Sequence, residues 1–418
     1  MNLTERDRKH LWHPYTQEKT APPPIGIIRG RGVWLETEDG RKILDGISSW
    51  WVNIHGHSHP VLNEALTRQA NEIEHAMFAG FTHKPAVELA EKLVAVLPEN
   101  LTRVFYSDNG STAVEVALKM AYQFWQNRGD ERKTFVALEH AYHGDTFGAM
   151  AASGTSAFTA PFASLLFRVL RAGNLEDIEE IFRENSKEIA AVIVEPILQG
   201  AGGMIVWEKE FLFGLRRLCD EYDVLLIADE VLTGFGRTGK MFACEHARVS
   251  PDIICLSKAL TAGYLPLGAT VATEEIYAAF LSDDRAKTFF HGHSFTANPL
   301  ACAVASASLD LFERDNCLEK ISFINQKLGV RLPKLLRLNC VKDVRIVGAV
   351  GIVELISENE GYFANVGQNL YQEFLARNVL LRPLGSVLYF MPPYVIDERE
   401  IDWVLGEIEE VLSNIDGQ

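Results

Sequence analysis

Short apolar runs rich in β-branched residues alternate with helical stretches between about residues 85 and 275. These runs are TRVFYS, KTFVALE, AAVIVEPI, DVLLIADEV and PDIICLSKA. Apolar runs separated by helices are typical of buried strands in a parallel or mostly parallel sheet that is covered on both faces. The pattern therefore predicts an α/β fold. Ligands of such sheets bind beyond the carboxyl ends of the strands, so the residues after each run are candidates for a site.

The pattern changes after residue 300. A long helical stretch over residues 298–336 precedes the apolar runs VKDVRIVGAVGIVEL and VLLRPLGSVLYFMPP and the amphipathic segment EREIDWVLGEIEEVL. Near the N-terminus, GVWLETEDGRKILDG predicts a hairpin around an Asp-Gly turn. We interpret residues 51–300 as a large domain, residues 301–418 as a smaller α+β domain, and residues 1–50 as a segment that joins the small domain.

Charge and composition narrow the class of protein. The 418 residues include 56 acidic and 40 basic side chains, and the net charge of -16 disfavours binding to nucleic acid or to anionic membranes. No apolar run reaches the roughly 18 residues that a membrane span requires. The six cysteines are scattered without a Cys-x-x-Cys pair, and the N-terminal residues lack the pattern of a signal peptide. These features predict a cytoplasmic protein.

Asp229 and Lys258 each lie at the end of an apolar run. Taken alone, the lysine is better explained as a surface residue and the aspartate as a helix cap. Desolvation at a strand end, however, favours the neutral and nucleophilic form of a lysine amine. Together the two residues fit a pyridoxal phosphate site, in which the lysine forms a Schiff base with the cofactor aldehyde and the aspartate keeps the pyridine nitrogen protonated.

A phosphate group needs its own binding element in such an acidic protein. Asn109, Gly110 and Ser111 precede a helical stretch with apolar spacing. Backbone N–H groups at the start of a helix bind anions without any net positive charge, so these three residues are candidates for a phosphate cradle. A plain helix cap has the same sequence pattern, and the signal is therefore weak by itself.

Two other strand ends carry candidate residues. Tyr142 and His143 follow the run KTFVALE, where an aromatic ring can stack on a flat cofactor, although a buried tyrosine explains the position equally well. Glu195 ends the run AAVIV and is followed by a proline. Its carboxylate can orient neighbouring groups, or it can be a packed loop residue.

The run ADEVLTGFGRTGKMFACEH, followed by PDIICLSKALTAGYLPLGA, resembles the class III pyridoxal phosphate-dependent aminotransferases of fold type I. Further matching segments are GHSHP at 56–60, NGSTAVEVALK at 109–119, AYHGDT at 141–146, VEP at 194–196 and HGHSFTANPLAC at 291–302. The resemblance covers nearly the whole chain. It implies pyridoxal 5'-phosphate as cofactor, small-molecule substrates, and a homodimer with shared active sites. The catalytic residues that it implies are Lys258, Asp229 and Tyr142.

The same resemblance implies contacts across the dimer. Ser294 stands where the family usually has threonine, and that residue binds the cofactor phosphate of the neighbouring subunit; the serine keeps the necessary hydroxyl. In the same loop, His293 is a predicted cofactor contact and Gly292 a predicted substrate contact. The predicted cofactor contacts are Asn109, Gly110, Ser111, Tyr142, His143, Glu195, Asp229, Lys258, His293 and Ser294. The alternating histidines at 55–59 look like a metal cluster, but the family uses this turn as structure, so no metal is predicted.

Three segments resemble the branch of the family that converts 8-amino-7-oxononanoate to 7,8-diaminononanoate in biotin biosynthesis, usually with S-adenosylmethionine as amino donor. They are LWHPYTQ at 11–17, DGISSWWVNIHGHSHP at 45–60 and LLRPLGSVLYFMPPY at 380–394. The resemblance implies that Arg382 binds the carboxylate of the acceptor. The predicted substrate contacts are Tyr15, Trp50, Trp51, Tyr142, Arg237, Gly292 and Arg382.

The residues themselves leave alternatives to these roles. Adjacent residues on a strand face opposite ways, so one of the two tryptophans could belong to the core, and Arg237 could form a structural ion pair. Another class III enzyme, acting on 4-aminobutyrate, ornithine or an ω-amino acid and pyruvate, would share the same aspartate and lysine. Lysine is an alternative amino donor. A non-catalytic module on the same fold is disfavoured because Asp229 and Lys258 are intact and no basic DNA-binding segment is present.

Overall fold

The computed structural model describes residues 2–357 and 365–416. In this part of the chain the strands are β1 (Ile27–Arg31), β2 (Trp34–Thr37), β3 (Lys42–Asp45), β4 (Leu101–Ser107), β5 (Thr134–Leu138), β6 (Val169–Ala172), β7 (Ile189–Val194), β8 (Leu198–Gln199), β9 (Ile205–Val206), β10 (Leu225–Asp229), β11 (Ile253–Leu256), β12 (Gly268–Thr273), β13 (Val341–Val347), β14 (Val350–Leu355), β15 (Val379–Leu380) and β16 (Val387–Phe390).

The helices of the same residues are α1 (Leu3–Asp7), α2 (Ser48–Trp51), α3 (Pro60–Glu72), α4 (Lys84–Val96), α5 (Gly110–Asn127), α6 (Phe147–Ala152), α7 (Leu175–Asn185), α8 (Lys209–Tyr222), α9 (Cys244–Ala247), α10 (Glu274–Ala278), α11 (Pro299–Arg314), α12 (Cys317–Arg331), α13 (Asn365–Ala376) and α14 (Glu398–Asp416). Short 3-10 helices span Ala160–Leu165, Ser186–Glu188, Lys258–Thr261, Arg285–Lys287 and Leu332–Arg337. The single turn α2 is unusual because all four of its residues have positive φ.

A seven-stranded sheet forms the centre of the fold, with strand order β4-β12-β11-β10-β7-β5-β6. Strand β12 is antiparallel to both of its neighbours, and the other pairs are parallel. The predicted mostly parallel α/β sheet is therefore confirmed, and the five apolar runs form β4, β5, β7, β10 and β11. Strands β6 and β12 are additional to these runs.

Burial on both faces explains why the central runs are continuously apolar. Every residue of β7 and of β11 is buried. Helix α5 packs on one face with a row of small residues that includes Ala113, Ala117 and Ala121, and small side chains allow a close approach to the sheet. The indole N–H of Trp125 donates to the carbonyl of Ala190 at 2.8 Å, which satisfies the one polar group that this large side chain brings into the core.

The two ends of the chain meet in one sheet of order β1-β2-β3-β15. Strands β2 and β3 form the predicted hairpin, and Gly40 in its turn has φ +84, a conformation that favours glycine. Strand β15, from the C-terminal third, pairs in parallel with β3 through Val379 opposite Leu44. A second sheet, β13-β14-β16, is antiparallel. The domain boundaries at residues 50 and 300 stay a prediction.

The helices and the cysteines of the described residues bear on the predictions from composition. Among them, no helix is both long and apolar enough to cross a lipid bilayer. The cysteines Cys219, Cys244, Cys255, Cys302 and Cys317 are buried free thiols, and Cys340 is a partly exposed one.

Candidate active site

A cavity of about 610 Å³ lies beyond the carboxyl ends of the parallel strands. It receives residues that follow β4, β5, β7, β10 and β11, because the ends of these strands lie along one edge of the central sheet. Nine of the residues predicted from sequence line this cavity: Trp51, Asn109, Gly110, Ser111, Tyr142, His143, Glu195, Asp229 and Lys258.

Asp229 is the last residue of β10 and is 4% exposed. Its Oδ2 lies 2.7 Å from Nδ1 of the buried His143, a distance at which the imidazole N–H donates to the carboxylate. Its Oδ1 accepts the N–H of Val231 at 3.1 Å. Two donors therefore fix the carboxylate, as a buried anion requires. Nε2 of His143 is also buried, and it has no hydrogen-bond partner in the described residues.

Lys258 lies two residues after β11 and begins a short 3-10 helix, with φ +46. Its side chain keeps some exposure to the cavity, but the surrounding protein shields it from bulk water, and this desolvation lowers the pKa of the amine. The negative charges of Asp229 and Glu195 act in the opposite direction. Nζ lies 4.7 Å from the ring centroid of Trp51 and makes no ion pair with any described residue. A lowered pKa makes the amine easier to deprotonate than an ordinary lysine, and an unpaired amine can then act as a nucleophile and as a base.

Glu195 directly follows β7 and is 5% exposed. Its Oε1 accepts the N–H of Tyr142 at 2.9 Å, and its Oε2 accepts the N–H of Gly200 at 2.9 Å. Burial raises the pKa of this carboxyl to about 7. Glu195 therefore connects the loop after β5 with the turn after β8 and positions Tyr142 at the cavity.

The start of α5 forms a concave surface. Asn109 caps the helix, and its Oδ1 accepts the N–H of Thr112 at 3.0 Å. The N–H groups of Gly110 and Ser111 belong to the first turn, where the helix itself provides no acceptor. A Cβ atom on Gly110 would lie 2.6 Å from Val231, and one on Gly144, which has φ +130, would lie 2.1 Å from Oγ of Ser111. Gly110 therefore makes room for the side chain of Val231, and Gly144 allows Ser111 to lie against the loop after β5.

Tyr15, from the N-terminal segment, reaches the rim of the cavity. Its hydroxyl lies 3.1 Å from the hydroxyl of Tyr142, and both hydroxyls donate to Oδ2 of Asp145. Burial raises the pKa of Tyr142 well above the usual tyrosine value. Asp145, which also lines the cavity, is absent from the sequence predictions. Its position two residues after His143 in the same loop was the signal that could have found it.

Trp50 and Trp51 lie in the turn α2, so the expectation that they belong to a strand is wrong. Trp51 is 4% exposed and lines the cavity, whereas Trp50 is 38% exposed and contacts Tyr15 with ring centroids 5.4 Å apart. The guanidinium carbon of Arg382 lies 4.7 Å from the ring centroid of Trp50. Trp51 therefore belongs both to the hydrophobic core and to the lining of the cavity, whereas Trp50 and Arg382 pack together outside the lining.

Arg237 is fully buried beside the turn α2. Its Nη1 donates to the carbonyl of Pro392 at 3.1 Å and its Nη2 to Oγ of Ser48 at 3.5 Å. Burial lowers the pKa of the guanidinium, while Tyr394 and Asp45 raise it. Within the described residues it forms no ion pair, so the alternative of a structural ion pair is not supported.

Gly292, His293 and Ser294 lie in the loop before α11 and do not line the cavity of their own chain. The N–H of His293 donates to Oγ1 of Thr296 at 3.1 Å, and Gly292 and Ser294 are exposed. The histidines at 55–59 have local contacts instead of a shared centre, such as Nε2 of His57 at 3.0 Å from Oδ2 of Asp45. Among the described residues, no three His, Cys, Asp or Glu side chains are arranged to hold a metal ion.

Comparison with known proteins identifies the family. Residues 15–412 match the aminotransferase class-III family. The chain is 46% identical to the adenosylmethionine-8-amino-7-oxononanoate aminotransferase of Synechococcus elongatus, with 97% of this chain and 99% of the relative covered. A crystal structure of the enzyme of the same name from Methanocaldococcus jannaschii superposes with a TM-score of 0.96 at 39% identity, over 99% of this chain and 98% of that one.

The chain belongs to the class III aminotransferases. A further solved structure, a pyridoxal phosphate-bound amine transaminase from an uncultivated Pseudomonas species, has a TM-score of 0.91 at 31% identity and covers 97% of this chain and 98% of that chain. As a class III aminotransferase, the protein is a transaminase that uses pyridoxal 5'-phosphate. The predicted fold type I architecture is confirmed with it.

The cavity of this class III aminotransferase fits pyridoxal phosphate. The unpaired amine of Lys258 suits the cofactor aldehyde, and the buried carboxylate of Asp229 suits a protonated ring nitrogen. The free N–H groups in the first turn of α5, which line the cavity together with Gly144 of the loop after β5, suit the phosphate. These residues would hold the cofactor, and each has the chemical group that its part of the cofactor requires.

We predict that Gly144→Ala weakens cofactor binding. The new methyl group would overlap Oγ of Ser111 and displace the turn that suits the phosphate, so we expect the Kd for pyridoxal phosphate to rise about tenfold or more. Fluorescence titration of the cofactor-free protein measures this Kd. Gly129→Ala is the matched control, because Gly129 also has positive φ but no atom lies within 4 Å of its Cβ position. Equal effects of the two variants would contradict the steric explanation.

The raised pKa of Glu195 predicts a pH-dependent stability. In the folded protein this pKa is about 7, above the ordinary value of 4.5, so the folded state binds the proton more tightly than the unfolded chain does. The resulting stabilisation is complete below about pH 4.5 and is lost as the pH rises through about 7. The wild type loses this stabilisation between about pH 5 and about pH 8, but Glu195→Gln cannot. The free energy of unfolding of Glu195→Gln, relative to that of the wild type, should therefore rise by up to about 3 kcal/mol over this range.

Urea unfolding of the cofactor-free proteins at both pH values measures this difference. The control is Glu210→Gln, at a side chain that is 70% exposed, and it should follow the wild type. A constant difference between Glu195→Gln and the wild type across the pH range would refute the prediction.

Proposed function

We propose that this transaminase converts 8-amino-7-oxononanoate to 7,8-diaminononanoate in biotin biosynthesis. The names of the relatives from Synechococcus elongatus and Methanocaldococcus jannaschii support this substrate. The observation that carries the proposal is the position of Arg382, whose guanidinium stacks on Trp50 and has no carboxylate partner in the described residues. A carboxylate at the far end of a long aliphatic acceptor would complete this arrangement.

The contacts of Arg382 favour such an acceptor. Stacking on an indole face holds the guanidinium plane in one orientation and leaves its N–H groups available for a bidentate contact. Tyr15 packs on the same indole, and these two rings would offer apolar contacts to the methylene groups of the acceptor. An acceptor without a distal carboxylate, or with a much shorter chain, would leave this guanidinium without its anion.

The residues around the cofactor site have distinct tasks in the proposed reaction. When bound, pyridoxal phosphate supplies an electron sink for the bonds at the reacting carbon. Asp229 would hold a negative charge opposite the ring nitrogen, and His143 fixes its carboxylate. Nζ of Lys258 would remove the proton from the reacting carbon of the donor and later return one to the acceptor. Trp51 lies over Nζ and limits the access of water on that side.

Both substrates would use this single site in turn, so we expect ping-pong kinetics. S-adenosylmethionine is our proposed amino donor, since a sulfonium cation suits the aromatic side chains of Tyr15, Trp50 and Trp51. Lysine is the alternative donor, and separate assays with each compound decide between them.

A homodimer is part of the proposal. The loop with Gly292, His293 and Ser294 does not reach the cavity of its own chain, which agrees with a role in the site of a neighbouring subunit. Beside these residues, Phe290 is 73% exposed and Phe295 is 63% exposed, and a second subunit would cover such apolar surface. The free thiols described above agree with the proposed cytoplasmic location.

The half-reaction with the acceptor tests the substrate. Protein that carries the aminated form of the cofactor is mixed with 8-amino-7-oxononanoate, succinic semialdehyde or pyruvate, and the cofactor absorbance is followed. We expect rapid conversion with the first compound only. Rapid conversion with succinic semialdehyde or pyruvate, and none with 8-amino-7-oxononanoate, would instead support another class III activity.

Replacement of Arg382 tests its proposed contact with the acceptor. A charge-assisted hydrogen-bonded pair contributes about 1.5–3 kcal/mol, so we expect Arg382→Ala to raise the KM for 8-amino-7-oxononanoate about 10-fold to 100-fold. Arg382→Lys should recover only part of this loss, because an ammonium group cannot form the planar bidentate contact. Arg29→Ala, at a side chain that is 73% exposed, is the control. An unchanged KM in Arg382→Ala would remove this residue from the site.

A further inference from the structure

The turn α2 has a backbone conformation that is rare for its sequence. Ser48, Ser49, Trp50 and Trp51 have φ values of +52, +46, +73 and +73. Non-glycine residues visit this left-handed region as single residues, because the Cβ atom crowds the following carbonyl oxygen. Four in succession persist only when the surrounding structure holds them, and such strain is found mainly at functional sites.

Asp45 anchors the first residues of this turn through its carboxylate. Its carboxylate is completely buried. Oδ1 accepts the N–H groups of Ile47 at 3.3 Å and of Ser49 at 2.9 Å. Oδ2 accepts the hydroxyl of Ser49 at 2.7 Å and lies 3.0 Å from Nε2 of His57. The carboxylate of Asp45, at the end of β3, therefore holds Ile47, just before the turn, and Ser49, within it.

The left-handed turn has a consequence for the two tryptophans. On an extended strand their side chains would face opposite ways. In the turn, the ring of Trp51 lies 4.7 Å from Nζ of Lys258, and the ring of Trp50 lies 4.7 Å from the guanidinium carbon of Arg382. Adjacent residues thus each contact a different cation: Lys258, which lines the cavity, and Arg382, which by the proposed function binds the acceptor.

We propose that Asp45 is a positioning residue for substrate specificity. It holds the left-handed turn so that Trp50 supports Arg382 while Trp51 supports Lys258. A purely structural carboxylate would affect stability alone, whereas a positioning carboxylate acts on the substrate through Trp50. The effect on the acceptor rests on the proposed function, but the position of the tryptophan ring does not.

A double-mutant cycle between Asp45→Asn and Trp50→Phe tests the proposal. The near-UV circular dichroism spectra of the holoenzymes are recorded with and without Trp50. The difference between the two spectra is the signal of the Trp50 ring, and it is large only when that ring is held in one environment. We expect Asp45→Asn to abolish most of this difference. We also expect it to raise the KM for 8-amino-7-oxononanoate about tenfold in the presence of Trp50 and less than about threefold in its absence.

A second variant covers the case in which Asp45→Asn does not fold. Ser49→Ala removes one hydrogen bond to Oδ2 and keeps the carboxylate, so it should change the same spectrum and the same KM in the same directions by a smaller factor. Asp252→Asn is the matched control. Asp252 also accepts a backbone N–H, from Leu226 at 2.7 Å, and pairs with Arg216, but these contacts involve no residue of α2.

Unchanged spectra and an unchanged KM in the folded variants would overturn the proposal. Effects of Asp45→Asn that are equal with and without Trp50 would also overturn it. So would a control Asp252→Asn whose effects depend on Trp50 as strongly as those of Asp45→Asn. Loss of the Trp50 signal in an enzyme whose wild type does not accept 8-amino-7-oxononanoate would support the positioning role and refute the proposed substrate. The spectroscopic measurement therefore separates the two failures.

Discussion

Desolvation of ionisable groups beyond β7, β10 and β11 is the constraint on which the rest of the site depends. Asp229 and Glu195 are almost completely buried, and a buried carboxylate is tolerated only when donors surround it. The strand ends provide these donors as backbone N–H groups, and His143 adds one to Asp229. The same shielding from water lowers the pKa of Lys258. Shielding from water therefore has two effects: it lowers the pKa of the Lys258 amine, and it requires the surrounding loops to place their N–H groups against the buried carboxylates.

The cavity also depends on residues that are distant in sequence, because they hold Trp51 in place. The indole N–H of Trp51 donates to the hydroxyl of Tyr389 in β16 at 3.1 Å, and Oγ of Ser48 donates to the carbonyl of Met391 at 2.7 Å. Arg237, from the loop after β10, donates to Pro392 in the same C-terminal segment. These C-terminal residues do not line the cavity; they fix Ser48, Trp51 and Arg237, of which Trp51 lines it. The pairing of β3 with β15 brings the N-terminal strands close to this C-terminal segment, so that these supporting contacts can form.

The sequence predicted the parts of this arrangement that leave a local pattern. Continuous burial produces apolar runs, so five central strands and the residues at their ends, including Asp229 and Lys258, could be found without a structure. Strand β12 could not, because the small residues of GATVAT resemble a loop as much as a strand and its antiparallel position depends on partners far away in sequence. The turn α2 could not either, since an Ile-Ser-Ser-Trp-Trp sequence has no glycine to indicate positive φ. Only tertiary contacts stabilise that conformation.

The segment LWHPYTQ is a second case in which the local sequence pattern does not reveal the role of a residue. Its hydrophobic pattern predicts neither a helix nor a strand, and within it Trp12 is 89% exposed while Tyr15 reaches Tyr142 and Asp145. Tyr15 itself has φ +53, so the chain bends at the residue that contacts the site. An arm that delivers one side chain to a cavity needs no repeating apolar face, because its backbone does not pack into a core. The absence of periodicity is therefore compatible with a binding role, and resemblance to a family was the only sequence-level signal that could distinguish this arm from a tail.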